Sequence, residues 1–368
     1  MDFPEISLSL HVAAARRTLK QEIENKKFIY LDTMFLVHFR DFQLGRCQRL
    51  PKNFSRFYQT LKKGVEAASI ICPISEHLVV EVLRQSDDQT RAQTLHVLGG
   101  LSQNVGFLSS NEVQLLELSR LLSRNENSPP DKYEKVNTWT KAFDCFGVLY
   151  PEPDLNCSDE KTRNAVQKAT FDRMWGMSLV DFFGSTPPSL ENEKPFFETL
   201  ASKISAENKA HSHEMKSFSG VFSDECRGMV DVLSDVFDLA VDIVPEGIAK
   251  VLRDVKRANL EAYHKTKINI ICASLQGDQG HERIPGAYIM ANLHASRRWN
   301  KEQMVKVGDF IDYEHAAAAL PYCDALFTEK SLGTAIKQKH LRLDEKFKCF
   351  VAANVDEAIE YLDKIGIQ

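Results

Sequence analysis

The chain is predicted to fold as an α/β protein, in which a parallel β-sheet flanked by helices is split by a long, mainly helical insertion. The apolar runs at residues 28–31, 69–72 and 325–327 are too short for helices and show no alternation, which is typical of parallel strands buried on both faces. Helical patterns lie beside each run, as expected where helices cover a parallel sheet. The predicted parts of the chain are residues 1–100, the insertion 101–300, and residues 301–368.

The first candidate functional residue is Asp32, directly after the apolar run 28–31. In open parallel sheets, ligands bind beyond the carboxyl ends of the strands, and Asp32 is predicted to lie there. Asp is also a favoured N-cap residue, so Asp32 could instead cap the helix whose apolar body begins at Met34. The sequence leaves both interpretations open.

The second candidate is Glu81, in a helix that follows the run 69–72. Pro73 ends the strand, and Ser75 is a good N-cap for a helix that continues to about Gln85. At about 100° per residue, Glu81 borders the apolar stripe of this helix, so its carboxylate can reach over the sheet edge. The alternative is a surface ion pair with Arg84 at i,i+3.

The third candidate segment is an alanine-rich helix predicted to start at Asp309 and to end before Pro321. Asp312 and His315 are spaced i,i+3 and therefore share one face of it. Asp309 is predicted to be the N-cap, and Asp312 could then be an N3 carboxylate favoured by the helix dipole. We favour a functional role for Asp312.

A fourth acid is expected near the strand predicted at residues 325–327. Thr328 and Glu329 follow its carboxyl end, whereas Asp324 precedes it. At about 3.3 Å per residue the two acids are roughly 15 Å apart, so only Glu329 lies at the edge shared with Asp32. Glu329 is the predicted fourth ligand, with Asp324 as the alternative.

These segments resemble the PIN-domain nucleases. The family pattern is an Asp that ends the first strand, an S-x5-E helix, a D-x-x-x-A-A-x-A helix and a Thr-containing acidic turn, and this chain has all four in order. Lys330 stands where the family commonly has its last acid, and the insertion splits the family's compact domain. The resemblance implies a nuclease, with RNA a likelier substrate than DNA, and with Asp32, Glu81, Asp312 and Glu329 as catalytic residues.

Converging carboxylates also indicate a divalent metal, because a cation removes their mutual repulsion. Oxygen ligands suit Mg²⁺ or Mn²⁺, so the four acids are predicted metal ligands, with Thr328 and His315 orienting them or a phosphate. The predicted function is metal-dependent endonucleolytic hydrolysis of single-stranded RNA. The alternative is a noncatalytic PIN-like scaffold that binds RNA or a protein through the insertion, which could also mediate homo-oligomerisation.

Composition limits the possible partners and the compartment. A net charge of -5 at pH 7 argues against a broadly basic surface that coats nucleic acid. The one basic and aromatic cluster, residues 297–301, either binds phosphates and stacks a base or is a solvated helix face with Trp299 packed inward. The eight cysteines lack C-x-x-C spacing, and no secretory signal or membrane-spanning run is evident. We expect a cytoplasmic protein that does not enter a membrane.

Overall fold

The computed structural model describes residues 7–123, 137–147, 160–183, 194–211, 213, 215–300 and 304–367. The protein is α/β, as predicted. The helices are α1 (Leu8–Ile23), α2 (Thr33–Gln43), α3 (Phe54–Glu66), α4 (Glu76–Leu83), α5 (Asp88–Ser102), α6 (Ser110–Leu122), α7 (Glu160–Trp175), α8 (Leu179–Phe183), α9 (Lys194–Ala210), α10 (Phe218–Ile243), α11 (Glu246–Ala258), α12 (Leu260–Gln276), α13 (Gly280–Arg283), α14 (Pro285–Trp299), α15 (Val307–Ala319), α16 (Lys330–Ile336), α17 (Leu343–Phe347) and α18 (Val355–Lys364). The strands are β1 (Lys27–Leu31), β2 (Ile70–Ile71), β3 (Val105–Phe107), β4 (Trp139–Lys141), β5 (Ala325–Phe327) and β6 (Phe350–Ala352).

The three strands predicted from apolar runs are present as β1, β2 and β5. β1 pairs in parallel with β2, with Phe28 opposite Ile71, and β5 pairs in parallel with β6, with Leu326 opposite Val351. Parallel pairing buries both strand faces, and every residue of β2 and β5 is accordingly buried.

The chain divides into two compact units. The first comprises Met1–Ser109, Asn137–Ser189 and Val355–Gln368, and the second comprises Ser110–Val136 and Leu190–Asn354. Within the first unit, α18 packs on α3 and α2 packs on α5. Within the second, the long helix α10 packs on α6, α12 and α14.

An antiparallel pair in the first unit was not expected from the sequence. β3 and β4 place Phe107 opposite Trp139, and the Trp139 ring stacks on those of Phe28 and Phe107 at centroid distances of 4.1 and 4.8 Å. The stacked rings bury a large apolar area at this edge. Among the described residues, no helix has the length and apolarity needed to cross a membrane.

Candidate metal centre

Asp32 lies at the junction between β1 and α2, where the sequence predicted it. It occupies the N-cap position with extended backbone angles, and its carbonyl oxygen accepts a hydrogen bond from Phe35 N at 2.9 Å. Its side chain makes no capping hydrogen bond, although the residue is only 5% exposed. Helix capping therefore does not explain a buried carboxylate at this position.

Glu81 is positioned by α4, which begins after the predicted N-cap Ser75. The Ser75 hydroxyl accepts a hydrogen bond from Leu78 N at 3.2 Å and lies 2.6 Å from the Tyr30 hydroxyl, which links the start of α4 to β1. Leu78, Val79, Val82 and Leu83 form the buried stripe of the helix, as expected. Glu81 borders this stripe, is half-buried, and accepts a hydrogen bond from the Thr33 hydroxyl.

His315 is buried in α15, on the alanine-rich segment that includes the buried Ala316 and Ala319. The sequence predicts His315 as an orienting group, a role that stays a prediction.

One carboxylate oxygen of Asp32 and one of Glu81, both in the first unit, lie within 4.8 Å of each other, so these two side chains could hold a metal ion between them.

The electrostatics of the two carboxylates favour a bound cation. Two charged carboxylates within 4.8 Å of each other repel, and a divalent ion held between them would offset both charges. The donor set is therefore well suited to a divalent metal.

The remaining predicted site residues belong to the second unit. Asp312 is half-buried and lines a cavity in the second unit. Glu329 is exposed at the N-cap position of α16, where its side chain makes no capping hydrogen bond. Asp324 is half-buried, and Thr328 is fully buried, with its backbone N donating to Ala352 O at 2.9 Å. The catalytic assignments of Asp312 and Glu329 stay predictions.

The start of α15 differs from the prediction. Lys306 is the N-cap and Asp309 is the N3 residue, whose carboxylate accepts a hydrogen bond from Lys306 N at 2.7 Å. The same carboxylate is buried and forms a bidentate ion pair with Arg297 of α14. Arg297 is the tertiary partner that the sequence could not indicate, and it explains why Asp309 occupies N3 and is buried.

The basic and aromatic cluster at residues 297–301 is largely committed to contacts within the second unit. Arg297 pairs with Asp309, and Arg298 pairs with Glu225 at 2.9 Å. Trp299 packs against the buried cluster formed by Met215, Val221 and Ala295, which favours the interpretation of an inward-packed Trp. Lys301 lies outside the described residues.

Comparison with protein-family models, with curated proteins and with solved structures yields no match. The resemblance to PIN-domain nucleases therefore remains an expectation from the sequence motifs, and the proposals below depend on the residues themselves.

Thr33→Val is expected to weaken metal binding without unfolding the protein. The substitution removes the hydroxyl that donates to Glu81 while keeping a β-branched side chain of similar volume, and loss of a group that orients a ligand typically costs about 10-fold to 100-fold in metal affinity. Titration of Mn²⁺ by calorimetry measures the effect. Thr199→Val, in α9 of the second unit, is the matched control, and equal Mn²⁺ affinities for both variants and the wild type would contradict a role for Thr33.

Proposed function

We propose that this protein is a metal-dependent nuclease that hydrolyses phosphodiester bonds of single-stranded RNA. The observation that carries the proposal is the approach of the Asp32 and Glu81 carboxylates to within 4.8 Å of each other, which suits one bound ion. Asp32 supports it further, since its buried side chain follows a parallel strand and is not used to cap α2. Ligand sites at the carboxyl ends of parallel strands are the rule in α/β folds.

Carboxylate ligands suit both Mg²⁺ and Mn²⁺. Mg²⁺ demands near-ideal octahedral geometry and gives up its waters reluctantly. We expect Mn²⁺ to bind more tightly than Mg²⁺ and to support the higher activity.

Individual residues would then have separate roles in hydrolysis. Asp32 and Glu81 would hold a divalent ion through their carboxylates, with the Thr33 hydroxyl fixing the orientation of Glu81. The chemistry supplied there would be polarisation of the scissile phosphate and a lower pKa for the attacking water. Asp312 and Glu329, which the sequence motifs place in the same set, would act through water or on the substrate.

The test is cleavage of labelled single-stranded RNA and single-stranded DNA by the purified wild-type protein. We expect RNA to be cleaved internally in the presence of Mn²⁺, more slowly with Mg²⁺, and not at all in excess EDTA. Mn²⁺ binding is measured on the same preparation by calorimetry. The absence of both Mn²⁺ binding and cleavage would overturn the proposal, while preferred cleavage of DNA would correct the substrate class.

A noncatalytic binding function is the second candidate, and one surface of the second unit favours it. Val232, Leu239 and Ile243 of α10 are each more than half exposed and are spaced by seven and four residues, which places them on one helix face. Exposed aliphatic side chains on a common face are typical of protein-binding surfaces. Mn²⁺ binding without cleavage of either nucleic acid would favour this candidate over the nuclease.

A further inference from the structure

A cavity of about 360 Å³ lies in the second unit and is lined by side chains of α14, α15 and α16 and by Gln338, two residues after α16. Its volume is at the lower end of the range for sites that bind small organic ligands. The polar and charged lining residues are Ser296, Arg297, Asp309, Asp312, Lys330, Ser331, Thr334 and Gln338. Asp312, which the sequence motifs predict as a metal ligand, is among these lining residues.

Several of the lining groups are already paired with each other. The Arg297 guanidinium forms its bidentate ion pair with Asp309, so these two opposite charges cancel locally. The Ser296 hydroxyl donates to the Gln338 side-chain oxygen. These contacts fix the walls formed by α14 and α15 rather than offering groups to a ligand.

The wall of the cavity formed by α16 differs from the other walls in the hydrogen bonding of its side chains. Lys330, Ser331 and Thr334 line the cavity and are exposed, and the structure records no hydrogen bond or ion pair of their side chains with any other described residue. An ammonium group and two hydroxyl groups therefore face the cavity with their donors available. Unlike the arginines at 297 and 298, Lys330 is not committed to an acidic partner.

We propose that this cavity binds a nucleotide unit of the RNA substrate, with the Lys330 ammonium contacting a backbone phosphate. The inference rests on the proposed nuclease function and specifies where the RNA strand is bound. Lysine is a general phosphate-binding side chain, and the hydroxyls of Ser331 and Thr334 can donate to phosphate oxygens. An ionised Asp312 only accepts hydrogen bonds, which suits a ribose hydroxyl rather than the phosphate itself.

The negative charge of the whole protein makes such a local cation necessary. At a net charge of -5, a polyanion gains no general attraction, so binding depends on individual Lys and Arg contacts with phosphates. Each such contact releases counterions, and it contributes about -0.7 to the slope of log affinity against log salt for single strands. A single phosphate contact is therefore measurable even where the total affinity is modest.

The experiment is fluorescence-anisotropy titration of a labelled oligouridylate in EDTA at several KCl concentrations, with wild-type protein, Lys330→Gln and Lys339→Gln. Lys339 is exposed, close in sequence, and not among the cavity residues. We expect Lys330→Gln to weaken binding several-fold and to make the salt slope less negative by about 0.7, as loss of one phosphate contact requires. Lys339→Gln is expected to match the wild type in both quantities.

Equal salt slopes for Lys330→Gln and the wild type, or equal changes in both variants, would overturn the inference. The outcome is separable from that of the metal site, because the titration is carried out without metal. RNA binding that depends on Lys330 in a protein that does not bind Mn²⁺ would retain the cavity assignment and reject the nuclease. Mn²⁺-dependent cleavage by a protein whose RNA binding is unchanged in Lys330→Gln would retain the nuclease and reject the cavity assignment.

Discussion

Asp32→Asn is expected to lower Mn²⁺-dependent RNA cleavage by roughly a thousandfold, since a metal at a phosphoryl centre supplies several kcal/mol of charge stabilisation. Asn keeps the size and shape of the side chain but removes the charge that, with Glu81, attracts the ion. The Asp32 side chain makes no capping hydrogen bond to α2, so the helix start should persist. Activity on labelled RNA measures the loss.

Thermal unfolding provides a second readout that does not depend on catalysis. A ligand that binds only the folded state at 100 times its Kd stabilises it by about 2.7 kcal/mol, so Mn²⁺ should raise the melting temperature of the wild type. The shift should vanish in Asp32→Asn. Asp88→Asn, at an exposed ion pair with Arg91, should retain the shift.

Two outcomes would count against the metal centre. The first is full activity in Asp32→Asn, which would indicate a contaminating nuclease or a different site. The second is an undiminished Mn²⁺ shift in the same variant, which would place the ion elsewhere on the protein.

The sequence predicted those features whose physical cause is local. Residues 28–31 and 325–327 had to be buried strands because their apolar runs are short and do not alternate, and β1 and β5 lie there. Ser75 had to cap a helix because its hydroxyl can accept the N–H group three residues later, and it does so with Leu78 N. Asp32 directly follows the first of these apolar runs, so the sequence also placed it at the end of a strand.

One local feature was not used. Residues 246–264 carry continuous helical apolar spacing, yet Asn259, a favoured N-cap residue, divides them into α11 and α12 with an extended backbone and accepts a hydrogen bond from Ala262 N at 3.0 Å.

Features that depend on distant partners have no such local signal. The β3–β4 pair joins segments more than thirty residues apart, for which periodicity gives no signal.

Glu117 is a buried carboxylate that the sequence did not indicate. It lies in the leucine-rich helix α6 and is only 2% exposed. Its carboxylate accepts a hydrogen bond from the Tyr322 hydroxyl at 2.6 Å and another from the backbone N–H of Gly286, in the first turn of α14. Burial raises the pKa of Glu117 to about 7, and the hydrogen bonds from Tyr322 and Gly286 and the charge of Arg120 only partly oppose that increase.

A raised pKa in the folded state makes stability fall as pH rises. Below about pH 4.5 both the folded and the unfolded protein hold the Glu117 proton, so the group has no effect. Between about 4.5 and 7 the unfolded chain releases the proton while the folded protein keeps it, which favours unfolding. At about 1.4 kcal/mol per pKa unit, the free energy of unfolding should lose roughly 3 kcal/mol over this range from Glu117 alone.

Glu117→Gln should remove this pH dependence, because the amide oxygen can still accept hydrogen bonds from Tyr322 and Gly286 but has no proton to release. The quantity to measure is the difference in free energy of unfolding between Glu117→Gln and the wild type, from urea denaturation at pH 4.5 and pH 8. That difference should shift in favour of the variant by roughly 3 kcal/mol as the pH rises. Glu261→Gln, at an exposed pair with Lys265, should show a nearly constant difference. A constant difference for Glu117→Gln as well would mean that Glu117 ionises at its ordinary pKa despite its burial, with the hydrogen bonds from Tyr322 and Gly286 fully offsetting the loss of water.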